Sequence, residues 1–228
     1  VKQRQIFTEG AAKKYIDEGT ANHIFDYMEK FAGYGFNKSH AAAYALVAYQ
    51  TAWLKAHYPA EFLAAVMSSE MQNTDNVVFL IDDCRHNDIE VLPPSVNMSI
   101  YQFHASDDKT IVYGLGAIKG VGEAAMQSVI DSRIQDGPYR DLFDFCHRID
   151  LKKINKRTLE ALIRSGALDC LGIERSSLMA QLPEAVQAAD QARSNRETGI
   201  MDLFGEVEEV QRKPAKPVKP WSDEVRLK

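Results

Sequence analysis

A mainly α chain is predicted: a helical first segment, a small β-hairpin, then a bundle of helices joined by glycine hairpins. Three observations predict it. Apolar residues in the first ninety positions, such as Ile16, Ala21, Ile24, Phe25 and Met28, fall near the i, i+3, i+4 spacing of a helix face. Apolar and polar residues alternate only between about 91 and 115. Beyond that, glycine-rich turns separate further amphipathic runs.

The elements follow in order. Two helices fit between Phe7 and Lys30. Gly33 and Gly35 then flank Tyr34 and break the pattern, and Ser39 is placed to cap a long helix running to about His57. Tyr58-Pro59 ends it, because the residue before proline is driven out of the helical region. Helices follow from Ala60 to Met71 and from about Asp75 to Asn87. Glu90-Val91-Leu92-Pro93-Pro94 is an extended segment. Tyr101-Gln102-Phe103-His104 alternates and is answered by Ile111-Val112-Tyr113 across the turn-forming cluster Ser106-Asp107-Asp108-Lys109, which predicts a hairpin. Helices resume over Gly122 to Arg133, Asp141 to Arg148, Lys156 to Ser165 with Asn155 as cap, and Glu174 to about Arg196 with an interruption expected at Pro183. From Glu206 to Pro220 the chain turns charged and proline-rich, the composition of a linker.

Composition narrows the function classes. With 228 residues, 45% hydrophobic, the chain can bury one large core or two smaller ones without disulfide or metal staples. Stretches such as Ala41 to Ala48 and Phe62 to Met67 are far shorter than the roughly 20 apolar residues of a membrane span, so no membrane partner is expected. The first residues show no apolar core of a secretion signal. A start without methionine and an end in mid-pattern lead us to expect a segment of a longer protein. Cys84, Cys146 and Cys170 are widely spaced, which predicts reduced thiols in a cytoplasmic protein. A net charge of −5 argues against binding nucleic acid with the whole surface. Locally, however, Arg148, Lys152, Lys153, Lys156, Arg157 and Arg164 outnumber Asp150 and Glu160 and form a candidate phosphate-facing patch.

The strongest local signal is Gly114-Leu115-Gly116-Ala117-Ile118-Lys119-Gly120-Val121-Gly122-Glu123-Ala124-Ala125, which looks like the helix-hairpin-helix element of DNA polymerases, ligases and repair enzymes. Glycines at Gly120 and Gly122 let the backbone turn tightly and approach a phosphate, and the following helix directs N–H groups and its positive dipole end at that phosphate. Lys119 beside the hairpin and the stretch Lys152 to Arg157 favour DNA over the alternative, a glycine-rich helix-helix turn without ligand. Lys152, Lys153, Lys156 and Arg157 themselves stay open between phosphate contact and an ordinary solvated face. A third polar cluster, Asn37-Lys38-Ser39-His40, stands at a glycine-loosened helix start, where a lysine, a histidine and backbone donors could hold a triphosphate. Its alternative is a plain helix cap.

Phe31 to Phe62, which includes Gly33-Tyr34-Gly35-Phe36-Asn37-Lys38-Ser39-His40-Ala41 and Tyr49-Gln50-Thr51-Ala52-Trp53-Leu54-Lys55-Ala56-His57-Tyr58-Pro59, resembles the fingers domain of the bacterial replicative C-family DNA polymerases, the polymerase III alpha subunits. The resemblance continues through Tyr113 to Gly122, Lys156 to Gly172 and Met201 to Gly205. It implies a helical fingers segment over 1–90, a β-hairpin connector over 91–115, a helix-hairpin-helix DNA-binding and clamp-binding domain over 116–205, and a linker over 206–228 to a further C-terminal domain. It further implies that Asn37, Lys38, Ser39 and His40 lie by the incoming deoxynucleoside triphosphate and the template-primer end, while Lys119, Gly120, Val121, Gly122 and the basic stretch grip the duplex. Asp202-Leu203-Phe204 resembles the family's peptide for the sliding clamp, with one departure: such peptides open with glutamine, and Ile200 stands four positions before Phe204. An apolar helix end packed on its own domain is the alternative there.

The family's polymerase reaction uses palm aspartates that bind two magnesium ions, and no segment here resembles them. No catalytic or metal-binding residue and no cofactor of its own is therefore expected. Asp82-Asp83 reads as a solvent face, and the cysteines and histidines lack zinc-site spacing. The expectation is a part of a DNA-directed DNA polymerase, a nucleotidyltransferase of DNA replication, that binds primer-template DNA, nucleotide, clamp and other replicative subunits but does not polymerise alone. The competing reading is a stand-alone helical scaffold that docks a protein through Leu203-Phe204 and never touches DNA.

Overall fold

The computed structural model describes residues 2–33, 38–197 and 218–226. The chain divides into two compact units, the first ending at Leu54 and the second beginning at Lys55. No helix among the described residues is long and apolar enough to cross a membrane.

In the first unit, α1 (Lys2–Ala12) and α2 (Glu18–Gly33) pack through Phe7 and Phe25, whose ring centroids are 5.6 Å apart. Arg4 lies over the Phe25 ring at 4.7 Å and pairs with Asp26 and Glu29, so one cation closes the contact from above. Asp17 caps α2 by accepting from the backbone N–H of Thr20 at 3.0 Å. Helix α3 (Lys38–His57) has no buried residue. Ser39, expected as its cap, lies inside its first turn instead.

The second unit begins with α4 (Pro59–Glu70), where proline occupies the first turn, a position with no helical N–H bond to lose. Asn73 caps α5 (Thr74–His86), accepting from the N–H of Asn76. Asp83 is not the solvent-facing carboxylate expected: Lys55 donates to it at 2.6 Å and Asn87 at 3.1 Å. Leu63, Met67, Val77, Phe103 and Ile111 form a core between these helices and a sheet.

That sheet has three strands, not the expected two. Strands β2 (His104–Asp107) and β3 (Thr110–Val112) make the antiparallel hairpin, with an irregularity between Ala105 and Asp107. Strand β1 (Glu90–Leu92) adds in parallel to β3, in the order β1-β3-β2. The parallel pairing is long-range, so local alternation could not reveal it. The hairpin also starts later than expected, because the carbonyls of Ile100 and Tyr101 accept from the N–H groups of Leu115 and Gly116 rather than pairing in the sheet.

The remaining helices, α6 (Glu123–Asp136), α7 (Leu142–Arg148), α8 (Lys156–Ser165) and α9 (Arg175–Glu197), enclose a second core centred on Met126, Val129, Phe145, Ile149, Leu159, Leu162 and Leu178. Helix α9 runs through Pro183 without the expected interruption. Leu178 and Leu182 before it and Ala185 and Ala189 after it are all buried, and packing on both sides offsets a proline cost of about 3 kcal/mol. A short α10 (Asp223–Arg226) follows Trp221, whose ring packs against this core with Arg164 above it at 5.8 Å.

All three cysteines are free thiols. Burial pushes the Cys84 thiol up to about 11 and the Cys146 thiol to about 12, whereas Cys170 is exposed. A maleimide at pH 8 is therefore expected to modify Cys170 alone in the native chain and all three thiols after unfolding. Mass spectrometry counts the adducts; a native chain carrying two or more would contradict the packing around Cys84 or Cys146.

Candidate nucleic-acid interface

The run Gly114 to Gly122 performs two separate tasks. A 3-10 turn over Leu115–Ala117 leads into the hairpin, where the N–H of Val121 donates to the Ile118 carbonyl at 3.2 Å. A Cβ on Gly114 would stand 2.6 Å from the backbone carbon of Gln102, so this position packs chain against chain. Gly120, by contrast, has φ +84° with open space around it, a conformation that costs an L side chain about 1–2 kcal/mol. Val121 is buried and anchors the turn, while Lys119, Gly120 and Gly122 are exposed. Gly122 precedes α6 in extended conformation, and no side chain caps that helix. The helix start thus presents backbone donors and a positive dipole end, next to Lys119 and to the carboxylate of Glu123.

The packing difference has a direct consequence. Gly114→Ala is expected to destabilise the chain by about 2–4 kcal/mol, because backbone on both sides must move. Gly122→Ala meets nothing at a negative φ and should cost about 1 kcal/mol or less. Urea denaturation of the two variants compares them; equal midpoints would remove the close approach at Gly114 from the account.

A second hairpin joins α7 to α8. Ile149 and Ile154 are both about 1% exposed and pin its two ends in the core. Between them Asp150 shapes the turn: its carboxylate accepts from the N–H of Lys152 at 3.0 Å and its carbonyl from the N–H groups of Lys153 and Ile154 at 2.9 and 3.0 Å. Asn155 caps α8, accepting from the N–H of Thr158 at 3.0 Å. Lys152, Lys153, Lys156 and Arg157 are all exposed along this turn and helix start. The pair of Lys156 with Glu160 is loose, at 3.8 Å.

Thr158 ties the two hairpins together. Its hydroxyl is buried and lies 3.4 Å from the Gly120 carbonyl and 3.3 Å from Asn155 Oδ1. Sequence reasoning did not single out Thr158; its spacing three residues after a capping asparagine was the available signal. The structure also narrows the basic patch. Arg148 is turned inward, donating to the carbonyls of Ser132 and Gly137 at 2.8 and 2.7 Å, and its side chain is 12% exposed. Its two terminal nitrogens are engaged there and by Asp144, which turns the guanidinium away from a phosphate-facing position.

The other expected sites lie elsewhere. Lys38, Ser39 and His40 are exposed at the start of α3 in the first unit, with the His40 and Tyr44 rings 4.3 Å apart. Asn37 lies outside the described residues, as do Ile200, Asp202, Leu203 and Phe204. Among the described residues no group of three or more His, Cys, Asp or Glu side chains is placed to hold a metal ion.

Residues 88–178, which contain both hairpins, match the family of the helix-hairpin-helix motif. The chain as a whole is similar to one segment of DNA polymerase III subunit alpha. It is 53% identical over 230 residues to that protein of Vibrio cholerae serotype O1, covering 99% of this chain and 20% of the relative. The corresponding protein of Escherichia coli K12 gives the same identity and coverage. That of Xylella fastidiosa Temecula1 is 57% identical over 204 residues, covering 90% of this chain and 17% of the relative. The chain thus spans about a fifth of the length of these curated relatives.

Proposed function

We propose that this chain is a duplex-binding and nucleotide-positioning part of a replicative DNA polymerase. The observation that carries the reading is the linked pair of hairpins: two exposed turns, each leading into a helix start, joined through Thr158 and edged by Lys119, Lys152, Lys153, Lys156 and Arg157. Contacts of this kind meet the phosphate backbone and do not read sequence. The relatives named above are polymerase subunits, which supports the same assignment.

In this reading Asn37, Lys38, Ser39 and His40 hold the incoming deoxynucleoside triphosphate and template-primer end from the fingers, and Asp202, Leu203 and Phe204 dock on the sliding clamp. In this reading the chemistry belongs to palm aspartates in the rest of a polymerase, which would bind two magnesium ions, and the segment alone binds without polymerising. Its partners are primer-template DNA, nucleotide, the clamp and other replicative subunits, in the cytoplasm. The domain scheme is that of fingers over 1–90, connector over 91–115, duplex-binding and clamp-binding domain over 116–205 and linker over 206–228.

Fluorescence anisotropy of a labelled primer-template duplex tests the central claim. If each of the five cations at the hairpins meets a phosphate, the slope of log K against log salt is about −4.5, and raising salt from about 50 to 200 mM weakens binding about 500-fold. Affinity independent of salt, or no binding at low salt, would overturn the reading.

A further inference from the structure

Arg193, forty residues beyond the second hairpin on α9, reaches back to the root of that hairpin. It donates to the Ile149 carbonyl at 3.2 Å and faces the Asp150 carboxylate at 3.8 Å. Ile149 caps the C-terminal end of α7, and Asp150 holds the N–H groups of Lys152, Lys153 and Ile154, so the guanidinium grips the two residues from which the turn is built. Asp150 is also the one acidic residue between Arg148 and Lys156. Without the Arg193 guanidinium facing it, its carboxylate would leave a negative charge in the turn that carries Lys152 and Lys153 and repel the phosphates those lysines attract.

We infer that Arg193 is a positioning residue for the second hairpin, acting through Asp150: it holds the turn from behind and cancels the one negative charge within it. The assignment rests on the duplex-binding reading. It explains why an acidic residue can shape a phosphate-facing turn, since Asp150 supplies the acceptors that the turn requires while Arg193 removes the electrostatic penalty. The Arg193 and Asp150 side chains are 29% and 37% exposed. An ion pair so exposed adds little to folding stability, so its loss should appear in binding rather than in melting.

The test compares wild type, Arg193→Ala, Asp150→Asn and the double variant in duplex anisotropy across a salt series, beside the variant with Lys152, Lys153, Lys156 and Arg157 changed to alanine. Asparagine keeps the oxygen that accepts from Lys152 and removes only the charge. Arg193→Ala is expected to bind about fivefold more weakly at low salt. Its salt slope should stay unchanged, and its melting temperature should fall by no more than about 3 °C. Adding Asp150→Asn should recover affinity to within about twofold of wild type.

A slope reduced by about 0.9 would mean that Arg193 meets a phosphate itself, and would overturn the inference. Failure of Asp150→Asn to recover binding would do the same. Loss of binding in the four-cation variant together with unchanged affinity in Arg193→Ala would overturn the role of Arg193 and leave the duplex reading standing. A wild type that does not bind would overturn both.

Discussion

Changing Lys152, Lys153, Lys156 and Arg157 together to alanine is expected to weaken primer-template binding by about a hundredfold or more at 0.1 M salt. The reasoning is electrostatic. Each lysine or arginine that meets a phosphate releases condensed counterions, and four lost contacts should flatten the salt slope by about 3.6. The fold should survive, because the side chains that shape this region are others: Ile149 and Ile154 anchor the turn, Asp150 accepts its N–H groups and Asn155 caps α8. Lys156 and Arg157 occupy the first turn of α8, where alanine is at least as good a helix former. Circular dichroism should therefore be unchanged while anisotropy falls. An affinity within twofold of wild type would make these residues an ordinary solvated face and move any duplex contact to the first hairpin alone.

What could be read from the residues depended on how far away their partners lie. Helix α8 was legible from Asn155 as cap to Ser165 as its end, where Gly166 takes up a left-handed conformation, because every signal sits within a dozen residues. The hairpin at Gly120 was legible for the same reason. Strand β1 was legible only as an extended segment, not as a member of the sheet, since its pairing with β3 joins residues about twenty apart. Helix α9 defeated a sound local rule: Pro183 does remove a hydrogen bond, but burial of Leu182 and Ala185 on either side decides the outcome. The candidate interface shows the same division. Exposed lysines announce themselves by charge, whereas the contacts of Thr158 and Arg193 reach residues 38 and 44 positions away, and the local spacing of Thr158 after Asn155 marks the cap without marking that contact.

The glycine run shows why a motif match and a mechanism are different statements. Gly114 and Gly122 look equivalent in sequence. One is fixed by the backbone of Gln102 and Phe103 passing 2.6 to 2.7 Å from where a Cβ would be, and the other faces nothing. Only positions of the second kind leave room for a ligand. The linked geometry then makes the two hairpins a unit, because the Gly120 carbonyl and the start of α8 share the Thr158 hydroxyl.

Arg148→Ala should cost stability rather than duplex affinity, by about 2–4 kcal/mol. The guanidinium donates to the carbonyls of Ser132, Gly137 and Pro138 at 2.8, 2.7 and 3.4 Å and to Asp144 at 3.2 Å, and it lies 4.3 Å from the Tyr139 ring. Alanine would leave the carbonyls at the end of α6 without this donor and leave Asp144, whose side chain is 11% exposed, with Arg140 alone as its cationic partner. The acid limb of the stability curve should report the same loss. Burial alone would raise the Asp144 carboxyl, but the Arg140 backbone N–H and the Arg148 guanidinium outweigh it, so its folded pKa lies below the ordinary carboxylate value. A depressed folded pKa contributes stability above about pH 4 that is lost as pH falls through the folded value. Without Arg148 the burial effect gains ground, the folded pKa rises and that acid-side loss should shrink. Urea midpoints at pH 7 and at about pH 3 measure both effects. A variant as stable as wild type, with its salt slope for DNA reduced by about 0.9, would instead return Arg148 to the phosphate-facing patch.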